Sequence, residues 1–315
     1  MKMKNLFKNI RILSLLLPFA FLSCSNDTIK DTPYIPQTEI GKKLLANSET
    51  VARVYTDTSF IVALGVTETD IHFQKADSRS THMFIIDIDL NEPGVSLEVG
   101  MPYDTDVRSN FQRQTLTEMA DYADRPRHRV AAMINADFWD VSNMDIRGPI
   151  HRNGVILKNT FIYKESLPQQ ALSFIALTKD NQMIIADSAQ YRGMQYNLKE
   201  VTGSGVIVLR NGEIYNGAFK GIDPRTCLGY SNDGHVYFMV VDGRVEFYSY
   251  GFTYPEMGSI MKALGCSWAA NLDGGGSTQM LIRHPIADIF QIRNRPSDGQ
   301  ERPVVNAWMV TVNEP

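Results

Sequence analysis

Cysteine is scarce, with three in 315 residues, too few for a disulfide scaffold. Positive charge is not in excess either. Lys and Arg number 31 against 35 Asp and Glu, so the basic face of a nucleic-acid binder is not indicated and no nucleic-acid partner is expected. No apolar run reaches the ~20 residues that a membrane-spanning helix needs. Short signatures are missing too. There is no CxxC or HExxH, no Gly-Lys-Ser/Thr after a glycine loop, and no GxGxxG before a helix. His151, His235 and His284 lack zinc-site spacing. Ser259-Ile260-Met261-Lys262 has the Ser-x-x-Lys form of serine acyl enzymes, but Ser259 falls mid-helix and no Lys-Thr-Gly occurs. With 43% hydrophobic residues, wholesale disorder is excluded and one large or two small domains are expected.

The N-terminus has its own pattern. Lys2, Lys4, Lys8 and Arg11 precede an apolar run from Ile12 to Leu22, which reads as a secretory signal. Leu22-Ser23-Cys24 resembles the lipobox of bacterial lipoproteins. The expectation is a signal peptide over 1–23, a lipidated Cys24, and a Pro-punctuated tether over 24–38. Removal of the four positive and no negative charges of the signal leaves −8. Several acyl chains on one Cys anchor firmly, which points to a bacterial cell envelope, at the outer membrane or cell surface. The remaining thiols, Cys227 and Cys266, sit in apolar settings and read as buried free cysteines.

Residues 39–80 show no clear pattern and are read as a small N-terminal segment. From 81 to 315 the pattern sharpens into one main domain. Strands are expected at Met83–Leu90, Val95–Met101, Val130–Ile134, Leu172–Leu177, Met183–Ala186, Gly205–Leu209, Thr226–Tyr230, Val236–Val241, Ala269–Leu272, Thr278–Ile282 and Val304–Val312. Turns at Lys179-Asp180-Asn181, Asn211-Gly212 and Asn232-Asp233-Gly234 favour hairpins. Two capping boxes, Thr115-x-x-Glu118 and Thr253-x-x-Glu256, open helices. The second helix has Pro255 in its first turn and Gly265 past its end. Few helices among many hairpin-linked strands indicate an α+β fold with mostly antiparallel sheet.

The densest chemical signal is Asn271-Leu272-Asp273-Gly274-Gly275-Gly276-Ser277. Glycines let a ligand touch the backbone, and successive N–H groups in such a turn form an anion nest. A tight glycine turn between two strands is the plain alternative. Other polar groups stand at strand ends: Asn135 and Asp137, Arg225 and Thr226, Asp242 and Arg244, Asp298 and Arg302. Antiparallel neighbours bring such ends to one edge. Arginine is the planar partner of phosphate. Glu256 has a plain reading as a helix cap, and Trp139 and Tyr254 as core. Acidic clusters also hold Ca²⁺, so a calcium ion stays open although no cofactor is required.

Four motifs stand in order: Asn135-Ala136-Asp137-Phe138-Trp139; Arg225-Thr226-Cys227-Leu228-Gly229 with Asp242-Gly243-Arg244; Thr253-Tyr254-Pro255-Glu256 through Asn271-Leu272-Asp273-Gly274-Gly275-Gly276-Ser277; and Pro296-Ser297-Asp298-Gly299 with Arg302. Over 81–312 this set resembles the phosphodiester glycosidase family. The resemblance implies hydrolysis of a sugar-1-phosphodiester, such as an α-N-acetylglucosaminyl phosphodiester, to free sugar and a phosphomonoester. It places Asn135, Arg225, Asp242, Asp273 with its glycines, and Arg302 at motif positions; no shared role is carried onto Asp137. Chemically, Asp273 or Glu256 would act at the anomeric carbon. Asn135, Arg225, Thr226, Asp242, Arg244, Asn271, Gly274, Gly275, Gly276, Ser277, Asp298 and Arg302 would bind the substrate. The alternative is a surface lipoprotein that binds a phosphoglycan without turning it over.

Overall fold

The computed structural model describes residues 33–313. The expected signal peptide, Cys24 and most of the tether lie outside the described residues. The end of the tether does not. Asp57 accepts hydrogen bonds from the Tyr34 hydroxyl (2.8 Å), the Gln37 amide (2.9 Å) and the Thr38 amide (2.8 Å). These bonds hold its carboxyl below the usual range against the opposing effect of burial and fasten residues 34–38 to the domain.

Helix α1 (Glu39–Asn47) leads into a long hairpin of β1 (Val51–Ala63) and β2 (Val66–Lys75), followed by β3 (Ser80–Asp89) and β4 (Val95–Gly100). Helix α2 (Leu116–Ala123) precedes β5 (Arg129–Asn135), β6 (Ile150–Arg152), β7 (Val155–Lys158), β8 (Ser173–Thr178) and β9 (Met183–Asp187). The short α3 (Tyr191–Met194) leads to β10 (Leu198–Ser204), β11 (Ile207–Arg210), β12 (Glu213–Ile214), β13 (Arg225–Tyr230) and β14 (His235–Val241). Helix α4 (Tyr254–Leu264) is followed by β15 (Trp268–Asn271), β16 (Met280–Arg283), β17 (Phe290–Ile292) and β18 (Ala307–Val312).

The strands form three sheets, ordered β1-β2-β3-β14-β13-β15-β11-β12, β7-β6-β10-β8-β9 and β17-β16-β5-β18-β4. Every pairing between these strands is antiparallel, and the fold is α+β. Residues 39–80, set apart in the sequence reading, supply α1 and two strands of the largest sheet. Four α-helices are present among the described residues where the sequence suggested two.

Alternation of side chains across the pleat separates two cores. Phe238, Val240 and Leu228 face inward with Ile134, Met280, Trp308, Ile175 and Leu177, so all three sheets line one core. The buried Trp308 indole is satisfied by Thr202 Oγ1 at 2.8 Å. Cys227 and Met239 face the other way, against Met257, Ile260 and Met261 of α4. Helix α4 comes close because residue 258 is glycine; a Cβ there would collide with the Val208 carbonyl. Its start is the Thr253–Glu256 capping box, and Gly265 ends it in the left-handed region at φ 100°. Cys227 and Cys266 are both buried and free.

Candidate active site

The strand ends that the sequence singled out meet at one edge of the eight-stranded sheet. Pairing of Arg225 with Val241, Cys227 with Asn271, and Ile207 with Ala270 puts the start of β13, the ends of β14 and β15, and the start of β11 side by side. Hydrogen bonds join this edge to the end of β5. The Asp273 amide donates to the Ala136 carbonyl at 2.9 Å, and Asn135 Nδ2 donates to the Asp273 carbonyl at 2.7 Å.

The glycine turn at Gly274–Gly276 is packed against Arg244 and Arg302, with Arg225 beside its first glycine. A Cβ on Gly274 would meet the Pro224 carbonyl at 2.8 Å and stand 3.9 Å from Nη1 of Arg225, and one on Gly275 would be only 2.8 Å from Nη2 of Arg244. A Cβ on Gly276 would collide with the Arg302 guanidinium and the Asp298 carboxylate. Gly275 also needs its glycine for backbone reasons, with φ 61°. The turn is not the nest of amides that the sequence suggested. The Gly274 amide donates to Asp273 Oδ1 at 3.0 Å, and the Gly275 amide to the Pro224 carbonyl at 3.0 Å. Of the three, only the Gly276 amide has no acceptor among the described residues, so positive charge here comes mainly from side chains.

Those side chains differ in their balance. Arg302 pairs with Asp298 at 2.7 Å, and exposed Arg244 pairs with Asp223 at 2.8 Å. Arg225 is 8% exposed and meets no carboxylate among the described residues. Its Nε donates to the Phe252 carbonyl (3.0 Å), Nη2 to the Gly221 carbonyl (2.5 Å) and Nη1 to the Tyr254 hydroxyl (3.3 Å). Its Cζ lies 4.4 Å from the Tyr254 ring centroid. A buried guanidinium with neutral partners keeps its positive field beside the turn.

Asp273 adjoins this field and is partly exposed. Loss of water around it pushes its carboxyl up to about 6; the Ser277 hydroxyl, Arg302 and the Gly274 amide pull the other way. Asn271 is wholly buried, and neither its Oδ1 nor its Nδ2 has a partner among the described residues.

Asn135, Thr226 and Asp242 underpin the site rather than line it. Asn135 Oδ1 accepts from Thr226 Oγ1 (2.7 Å) and the Gln279 amide (3.1 Å), so Asn135 and Thr226 satisfy each other inside the fold. Buried Asp242 accepts from Tyr248 Oη (2.8 Å), Asn294 Nδ2 (3.0 Å) and the Arg295 amide (3.0 Å). It ties down the loop that leads to Asp298.

Glu256 does not fit its expected catalytic role. Oε2 caps α4, accepting from the Thr253 amide at 2.7 Å, and Oε1 accepts from Lys75 at 2.8 Å. Lys75 is 1% exposed, and Glu256 is its nearer counter-charge, with Asp77 at 3.4 Å. Glu256→Gln should keep the cap but leave the buried ammonium with only the more distant, exposed Asp77 as counter-charge. The expected result is a stability loss of about 1–3 kcal/mol in denaturant unfolding, with kcat changed less than about threefold.

Residues that sequence reasoning did not assign also stand here. Tyr254 carries Arg225, Asp223 holds Arg244, and Gln279 bonds the Arg302 amide (3.1 Å) and carbonyl (2.9 Å). The only signal for Asp223 was its place two residues before Arg225. Asp137 is buried, and Oδ2 accepts from the Gly148 (2.9 Å) and Gly203 (3.1 Å) amides. Burial pushes its carboxyl to about 7 despite nearby Lys158. Among the described residues, no grouping of three or more His, Cys, Asp or Glu is placed to hold a metal ion.

The sequence model of the family described as phosphodiester glycosidase (NAGPA) matches residues 128–311, more than half of the chain. The chain belongs to the phosphodiester glycosidase family. All residues around the glycine turn lie inside the matched range of this family member. In fold it is similar to the catalytic domain of zebrafish N-acetylglucosamine-1-phosphodiester α-N-acetylglucosaminidase auto-inhibited by pro-peptide. That likeness has a TM-score of 0.58 and 16% identity, covering 82% of this chain and 83% of the other. A hypothetical protein from Synechocystis gives a TM-score of 0.58 and 15% identity over 79% of this chain and 62% of its own. The SPbeta prophage-derived uncharacterized protein YomE of Bacillus subtilis (strain 168) is 37% identical over 88 residues, 28% of this chain. That match spans only 13% of YomE's length.

Proposed function

We propose that this family member hydrolyses a sugar-1-phosphodiester to free sugar and a phosphomonoester. The observation that carries the reading is the gathering of Arg225, Arg244 and Arg302 around the three consecutive glycines directly after Asp273. In a glycosyl phosphodiester the leaving group is a phosphate ester, which departs more readily than a sugar alcohol. What the reaction needs is fixed positive charge at the phosphate and a carboxylate at the anomeric carbon. Arg225, Arg244, Arg302 and the free Gly276 amide are the donors for the phosphate. Asp273, ionised above about 6, is the carboxylate. The bond from the anomeric carbon to oxygen breaks, the oxygen leaves with the phosphate, and water supplies the new hydroxyl. Asn135 acts through the backbone of Asp273 and Asp242 through the 294–298 loop; both are positioning residues. Anchoring through Cys24 at a bacterial envelope, with a phosphoglycan or sugar phosphodiester as substrate, belongs to the same proposal.

The test is incubation of the purified chain with methyl α-N-acetylglucosaminyl phosphate. Release of N-acetylglucosamine with methyl phosphate supports the reading. Saturable binding with no release would instead support the phosphoglycan-binding alternative.

A further inference from the structure

The central strands of the large sheet have a second end. β13 and β14 pair from Arg225 with Val241, beside the glycine turn, to Tyr230 with Val236, which lies about 17 Å further along the strands. At that far end a cavity of about 320 Å³ opens between two hairpin turns, residues 230–236 of the large sheet and 181–183 of the β8–β9 hairpin, with Leu90 and Asn91 after β3 on a third side. Leu90, Met183, Tyr230 and Val236 belong to the main core or pack on it, so the inner wall is apolar. The outer wall is neutral amide. Asn91 Nδ2 donates to Asp89 Oδ1 and to the Asp233 carbonyl, both at 2.9 Å, and Asn232 Oδ1 accepts from Ser267 Oγ at 2.8 Å. These bonds fix the turns. The side chains of Asn181 and Gln182, and Nδ2 of Asn232, make no hydrogen bond among the described residues. None of the described residues lining the cavity is Asp, Glu, Lys or Arg. Its one basic group, His235, is held at Nδ1 by Asp87 at 2.7 Å.

We propose that this cavity is a second binding site, remote from the glycine turn, and that it takes a neutral saccharide. A sugar ring has an apolar C–H face and an edge of neutral hydroxyls. Tyr230, Leu90 and Met183 suit the face. A free carboxamide offers two donors and one acceptor, which match adjacent hydroxyls that each donate and accept. The volume is that of a small-ligand site. A phosphate finds no guanidinium here, and a cation finds no carboxylate in the wall. A wholly apolar ligand would cover the carboxamides of Asn181 and Gln182 and leave them unpaired. The glycine turn has the opposite balance, because arginines surround it. Binding at the far end needs no turnover, so the site stands or falls apart from the phosphodiester reading.

The experiment titrates the full chain with maltotriose, mannotriose, globotriose and triacetylchitotriose, by calorimetry and saturation-transfer NMR, beside a double variant carrying Asn181→Gly and Gln182→Ala. Both residues are exposed on a hairpin turn, and glycine suits position 181, where φ is 57°, so the variant keeps its fold, as circular dichroism checks. At least one trisaccharide should bind the wild type with a Kd of about 1 mM or below. The double variant should weaken that binding about tenfold or more, and Arg225→Lys should leave it unchanged. Release of sugar from methyl α-N-acetylglucosaminyl phosphate by the double variant should equal that of the wild type. Absence of binding by all four trisaccharides overturns the site. Binding that survives in the double variant, or that is lost in Arg225→Lys, puts the sugar elsewhere and overturns it as well. A wild-type chain that binds a trisaccharide through Asn181 and Gln182 but cleaves no diester upholds this site and ends the enzymatic reading alone.

Discussion

Asp273→Asn is expected to lower kcat for sugar release by about 10³-fold or more while the protein stays folded. The amide has nearly the shape of the carboxyl, and the main-chain bonds from Asp273 to Ala136 and Asn135 do not involve its side chain. What disappears is the negative charge that the proposed mechanism sets at the anomeric carbon. The pH profile gives the same residue a second signature. Loss of solvent lifts the carboxyl to about 6, so below that value the protonated form dominates. The rate should fall tenfold per pH unit on the acid side and level off above about 7. Circular dichroism and sugar release measured together check both points. Unchanged turnover in the variant would remove Asp273 from the mechanism.

Arg225→Lys should cost about 10²–10³-fold in kcat/KM. Lysine keeps the charge but not the fork. One ammonium cannot reach the Phe252 and Gly221 carbonyls and the Tyr254 hydroxyl at once, and it loses the planar stack on the Tyr254 ring. The cation would move away from Gly274. Arg244→Lys is the internal comparison. Arg244 is exposed and held by one carboxylate, so its replacement should cost about threefold. Equal losses in the two variants would mean that burial of Arg225 has no catalytic consequence.

Helix α4 and the hairpins around β8, β13 and β14 were legible because their signals are local. A capping box, a C-terminal glycine and an Asn-Gly or Asp-Gly turn act within a few residues. The β1–β2 hairpin was not legible. Its pairing shifts register at Val51/Arg53, Val54/Thr56 and Ile61/Ala63, and each shift breaks the alternation that marks a strand. At the site, the residue types were readable and several of their roles were not. Whether Glu256 caps or reacts depends on Lys75, which lies 181 positions away. Asn135 stood out by motif, yet its work is set by Thr226, Gln279 and the Asp273 carbonyl. The glycines stood out by motif, but Gly275 and Gly276 leave room for arginine side chains and Gly274 for the Pro224 carbonyl, more than they expose amides.

Asn271 carries a cost that the rest of the core does not. A wholly enclosed carboxamide with neither end matched disfavours the native state by roughly 1–3 kcal/mol for each group left bare. An aliphatic residue of similar size would raise the melting temperature. Retaining the amide two residues before Asp273 therefore trades thermal robustness for polarity at that spot.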